Sequence, residues 1–162
     1  MQAWQQPCVA DAGGVNAMPM KRGKRLIACA VGALLAAATV AHAAGDADAG
    51  KKIFNKCMAC HRIGPDAKNL IGPVLTGVIG RTAGTIEGFA YSTTMRNAGA
   101  QGLVWTEDAI KAYLPDPDAF LKKFLTDKGK PDLIADKTKM TFKLAPEIDP
   151  ADIIAYLATF PK

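Results

Sequence analysis

Cys57-Met58-Ala59-Cys60-His61 is the stretch on which the fold turns. Two thiols three residues apart, followed at once by an imidazole, form a C-x-x-C-H string, the pattern of covalent haem attachment. On a helical turn, residues i, i+3 and i+4 share a face, and four residues rise only about 6 Å. Both thiols can therefore reach the two vinyl groups of one porphyrin while the adjacent imidazole reaches its iron. His61 is the expected proximal ligand, since the other histidine, His42, falls in a segment read below as a leader. A structural zinc site would need four ligands, and no Cys or His follows His61. A thioredoxin-like redox pair would sit in a βαβ unit, and the chain has no strand alternation of any length.

Upstream of the string, residues 21–43 read as a secretory signal. Lys21, Arg22, Lys24 and Arg25 form a basic head, and Leu26 to Val40 is an uncharged run of 15 residues rich in Ala and Leu. Ala41-His42-Ala43 then puts small residues at −3 and −1 of a cleavage site, so cutting is expected between Ala43 and Ala44. An uncleaved anchor is the alternative, but a span needs about 20 apolar residues. This run is shorter, contains Gly32, and is followed by Gly45-Asp46-Ala47-Asp48. Leu26-Ile27-Ala28-Cys29 has the look of a lipoprotein box, but its cysteine precedes most of the apolar run. Met18 or Met20 would make a more ordinary start, so residues 1–17 read as an overlong start and about 18–43 as the signal peptide. The expectation is a leader over 1–43 and one domain over 44–162. Export to the periplasm is also what haem attachment requires.

The leader accounts for much of the composition. The chain carries 20 basic and 15 acidic residues, a formal +5, but from Ala44 onward the balance is 16 to 14. A nucleic-acid binder is therefore not indicated. Cys8 and Cys29 lie early, leaving only Cys57 and Cys60 downstream, which is no disulfide framework. With 49% hydrophobic residues the chain is not disordered.

Downstream, the punctuation is helical. Asp46 or Asp48 can cap a helix running to about Cys60, with Ala49, Ile53, Cys57 and Cys60 on one face. Residues 62–90 hold Gly64, Pro65, Gly72, Pro73, Gly77, Gly80, Gly84 and Gly88 and read as loop. A short helix is expected over Thr93–Ala98. Thr106-Glu107-Asp108 opens another that Pro115 stops, and Asp116-Pro117 and Asp149-Pro150 each start one more. The prediction is an all-α domain of four to five helices with long loops. So much Gly/Pro-rich coil in a small domain needs something to pack on, and a flat cofactor wrapped by backbone would serve.

For the sixth iron position the candidates are Met58, Met95 and Met140, because no second histidine remains. Met58 sits between the cysteines and faces away, and Met95 falls in the short helix, where a core role is commoner. Met140 lies in the loop Lys137-Thr138-Lys139-Met140-Thr141-Phe142, which can approach the other haem face, and is the expected ligand. A methionine there favours electron transfer. Lys56, Lys139 and Lys143 lie beside Cys57 and Met140 and are expected to ring one haem edge.

Together these residues resemble a class I c-type cytochrome, the family of bacterial cytochrome c2 and mitochondrial cytochrome c. The resemblance covers nearly all of residues 45–160. Gly50, Phe54 and the attachment string resemble the family's first helix, and Ile153 and Tyr156 match the last-helix positions that cross it. The resemblance implies that the Pro73 carbonyl accepts the His61 N–H. It implies that Tyr91 and Trp105 donate to a haem propionate that Arg81 helps neutralise, and that Tyr113 lies beside the axial sulfur. Asn97 receives no haem role, and the segment Leu121–Lys137 is longer than in the shortest relatives. The implied fold is the small class I cytochrome c fold around one covalent haem c. The implied protein is a soluble, monomeric periplasmic one-electron carrier, not an enzyme. It would run from a quinol-oxidising membrane complex to a terminal oxidase or photosynthetic reaction centre, in respiration or photosynthesis. Two alternatives stand: a haem peroxidase or ligand sensor with an open sixth site, and a membrane-tethered electron-input module.

Overall fold

Helices form where a side-chain cap meets an apolar periodicity in the computed structural model, which describes residues 45–162. The leader and its cleavage position lie outside the described residues. Helix α1 spans Ala47–Phe54, and the Asp46 carboxylate accepts from the amides of Asp48 at 2.8 Å and Ala49 at 3.2 Å. The helix does not run to Cys60 as its periodicity predicts. Asn55 ends it, and Cys57–Ala59 form a 3₁₀ turn instead. Three-residue hydrogen bonds, Lys56 N to Ile53 O and Cys60 N to Cys57 O, both 3.0 Å, tighten the chain there. Because side chains at i and i+3 eclipse in a 3₁₀ turn, the two cysteines still share a side.

The remaining helices follow the punctuation closely. Helix α2 (Thr93–Ala100) is capped by Ser92, and α3 (Glu107–Tyr113) by Thr106. Helices α4 (Pro117–Asp127) and α5 (Pro150–Ala158) start from Asp116 and Asp149, each with proline at the first helical position. A second 3₁₀ turn covers Pro131–Leu133. Among the described residues no helix is long and apolar enough to cross a membrane.

Helices α1 and α5 meet backbone to backbone. A Cβ on Gly50 would stand 1.9 Å from the Asp152 carbonyl oxygen and 2.9 Å from Tyr156 Cβ, so only glycine permits the approach. Phe54 and Tyr156 then bring their ring centroids to 5.2 Å, beside a buried Ile153. Residues 62–90 are coil, as expected, and one antiparallel bridge, Thr82 to Val104, pins them. There Gly80 N donates to Trp105 O, Trp105 N to Arg81 O, and Ala83 N to Leu103 O, each at 2.9 Å. This bridge sets Arg81 next to Trp105 across a long sequence gap.

Candidate functional site

His61 follows the 3₁₀ turn, its amide donating to Cys57 O at 2.9 Å. Its Nδ1–H donates to the Pro73 carbonyl at 2.7 Å, which commits that nitrogen and leaves Nε2 as the ring atom available to a metal. Burial lowers the imidazole pKa; the bond to Pro73 opposes this and the Arg81 charge adds to it. The neutral form, the one that ligates a metal, is thereby favoured. Gly72 lies flat against the ring: a Cβ there would come within 2.5 Å of Cε1. Cys57 and Cys60 are free thiols, not joined in a disulfide. Burial pushes the Cys57 thiol up, and the neighbouring Cys60 adds to the shift.

These three residues line a single cleft that Met140 also lines, together with an apolar wall including Leu75, Val78, Ile110, Leu114 and Leu157. Arg81, Tyr91, Trp105 and Tyr113 line the same cleft. The Arg81 guanidinium is buried and donates to the carbonyls of Val74 at 3.0 Å and Thr76 at 3.1 Å. It has no carboxylate partner among the described residues. Arg81 thus braces the loop that carries Pro73 and also leaves positive charge at the cleft. Burial lowers its pKa, and the adjacent Tyr91 hydroxyl offsets part of the drop. The Tyr113 hydroxyl lies 3.4 Å from Thr138 Oγ1, which in turn accepts from the Met140 amide at 3.3 Å. Burial pushes the Tyr113 phenol to about 12. Its ring packs edge-on to Trp105, centroids 4.8 Å apart.

The residues fit a haem. Two free thiols, a neutral imidazole with one nitrogen committed, and the thioethers of Met140 and Met95 line one apolar cleft, and an uncompensated guanidinium suits an anionic edge. Met95, only 6% exposed, packs in the core and also lines this cleft. Of the three lysines, Lys56 and Lys139 line the cleft, whereas Lys143 does not and pairs with Asp116 at 2.6 Å. The Lys139 amine donates to the Ala90 carbonyl. Ile71, 73% exposed, is an apolar lining residue that the sequence did not single out.

Sequence reasoning also missed one polar residue, Asn69. Asn69 accepts from Val74 N and donates to Glu87 O, both at 3.0 Å, so it ties the cleft-lining Pro73 loop to residues beyond it. Asn97 Nδ2 donates to the Leu133 carbonyl at 2.8 Å, outside the cleft lining. The bonds to Glu87 and Leu133 have no local signature, because they join residues 18 and 36 positions apart.

The family model described as Cytochrome c matches residues 47–161. The chain is similar to cytochrome c2 iso-1 of Rhodospirillum centenum, 60% identical over 116 residues, covering 72% of this chain and 97% of the relative. It is also similar to a cytochrome c2 of Rhodopseudomonas palustris, 59% identical over 116 residues, covering 72% and 81%. Among solved structures, cytochrome c2 from Rhodospirillum centenum superposes with a TM-score of 0.71 at 56% identity, covering 73% of this chain and all of that one.

Proposed function

We propose, from the premise that this chain belongs to the cytochrome c family, that it is a periplasmic carrier whose haem is ligated by His61 and Met140. The family's members are electron-transfer proteins with one covalently attached haem c, and this chain is one of them rather than an enzyme. Bound haem supplies the one-electron ferric–ferrous couple. Cys57 and Cys60 would hold it through thioethers, and His61, oriented by Pro73, would ligate through Nε2. Arg81, Tyr91 and Trp105 would meet its propionates, while Tyr113 and Thr138 steady the Met140 loop. The apolar wall excludes water from the site. The observation that carries this reading is the convergence of both thiols, the Pro73-bonded imidazole and Met140 on one cleft.

Residues 1–43 are read as a leader removed before Ala44, and 44–162 as the mature domain. N-terminal mass analysis of periplasmic protein tests this; retention of Leu26–Val40 in membranes would favour a tethered module. The donor is a quinol-oxidising membrane complex and the acceptor an oxidase or photosynthetic reaction centre, met through the edge that carries Lys56 and Lys139. The deciding measurement is the absorption spectrum of the oxidised protein. A long-wavelength sulfur-to-iron band is expected; its absence would favour an open sixth site and peroxidase or sensor chemistry.

A further inference from the structure

The segment that carries Met140 belongs to no helix: residues 134–143 are irregular. Irregular backbone holds one shape only if its polar groups are tied down, since ordering each residue costs conformational entropy. Downstream the tie is Leu144 N to Leu114 O at 2.9 Å, and mid-segment Thr138 N donates to Asp118 Oδ1 at 3.2 Å and the Lys139 amine to the Ala90 carbonyl. Upstream the tie is a two-way exchange with helix α2.

Thr94 Oγ1 donates to Asp136 O at 2.6 Å and accepts from Ala135 N and Asp136 N, both at 3.0 Å. That is the full capacity of a hydroxyl, one donor and two acceptors, spent on two adjacent residues. In return the Asp136 carboxylate accepts from Thr93 N at 3.0 Å and Thr94 N at 2.9 Å. These amides open α2 and have no partner within the helix, and Ser92 caps only Met95 N. The helix dipole favours a carboxylate there. Asn97, one turn on, donates to Leu133 O at 2.8 Å. Thr94 is 1% exposed, so water does not readily replace these bonds once broken.

We propose that Thr94 and Asp136 are positioning residues for Met140, a reciprocal latch between α2 and the methionine segment; this rests on Met140 being the sixth ligand. Departure of the thioether requires the segment to move, and movement starts where its anchors give way. Release of the latch is therefore one step of the local unfolding event that opens the sixth position, loss of the Thr138 and Lys139 ties being the other. A weaker latch raises the population of the open state without touching the thioether.

The test uses the intact haem-loaded protein and follows imidazole binding to the ferric form, alongside the sulfur-to-iron band and amide exchange. Thr94→Val keeps the shape and removes the hydroxyl. It should raise the imidazole on-rate by about tenfold or more, a conservative scale for losing the three hydrogen bonds of that hydroxyl. Thr94→Ser should return the rate to within about threefold of wild type, because the hydroxyl is restored. Amides of residues 133–141 should exchange faster in Thr94→Val, while those of α5 stay unchanged. Asp136→Ala, at an exposed position, should raise the on-rate by roughly threefold, and it decides the matter if Thr94→Val fails to fold. Ile154→Val, buried in α5, serves as a control for general destabilisation and should leave the rate within about twofold.

Unchanged rates in Thr94→Val and Asp136→Ala would overturn the latch. An equal rise in Ile154→Val would also overturn it, by reducing the effect to global stability. A wild-type protein without the sulfur-to-iron band would instead overturn Met140 as the ligand, which keeps the two failures apart.

Discussion

Met140 and Met95 are chemically identical side chains with different environments. Met140 is half-buried at the cleft, and its amide is held by Thr138. Met95 is buried in the core, although it too borders the cleft. Met140→Ala should leave haem attached through Cys57 and Cys60 while abolishing the sulfur-to-iron band. Loss of the thioether lowers the reduction potential. Affinity for external imidazole should rise by at least about tenfold, equivalent to about 1.4 kcal/mol. A retained band and a wild-type potential would identify another ligand. Met95→Leu, a nearly volume-conserving swap, should cost less than about 1.5 kcal/mol in denaturant unfolding and leave the band intact.

The helices are joined through contacts that tolerate little change. At the α1–α5 crossing, Gly50→Ala would force a methyl group into the Asp152 carbonyl, which is backbone and cannot swing aside. The helices must separate, loosening Phe54 against Tyr156. The expected cost is about 3 kcal/mol, at the upper end of overpacking, read as a lower denaturant midpoint. A cost below about 0.5 kcal/mol would mean that the crossing relaxes freely. Acid acts on another junction. The amides of Thr94 and Thr93 hold the Asp136 carboxyl below its ordinary range. Its folded pKa is thus below the unfolded value of about 3.9. The stabilisation is present above that value and is lost as pH falls through the folded one. Asp136→Ala should therefore lower Tm near pH 6, and the gap from wild type should narrow as pH falls to about 3. A gap independent of pH would remove the ionised carboxylate as its source.

Across the whole molecule, what matters is where positive charge meets the cleft. Lys56 and Lys139 border it, while Lys143 is paired with Asp116 and contributes less field. That pairing also holds the Asp116 carboxyl below its usual range. Since Lys139 also braces Ala90, Lys56 is the cleaner probe of docking. Lys56→Glu should slow electron transfer to an acidic partner by roughly tenfold at low salt, because steering raises encounter rates by that order or more. The gap should close as salt shortens the Debye length to about 10 Å at 0.1 M. Lys143→Glu should have the smaller effect, and the reduction potential should barely move in either variant. Equal rates for Lys56→Glu and wild type at low salt would exclude this edge as the docking face.

The chemistry is local in this protein, and the sequence alone determined it. Attachment of a cofactor depends on three side chains within five consecutive residues, and each helix start depends on an adjacent side-chain cap, joined at α4 and α5 by a proline. Hence Cys57, Cys60 and His61 were legible, as were the starts of α4 and α5 at Asp116-Pro117 and Asp149-Pro150. Helix α1 was misread at its end, because apolar spacing at i, i+3 and i+4 does not distinguish an α-turn from the tighter 3₁₀ turn at Cys57–Ala59. Only the tertiary structure decided which distant groups meet. Trp105 exchanges backbone hydrogen bonds with Gly80 and Arg81, Lys143 is taken up by Asp116, and Thr94 exchanges hydrogen bonds with a residue 42 positions away. Such pairings are directional and short-ranged. They exist only once burial of the apolar core has brought separate segments together, so no local pattern of residues announces them.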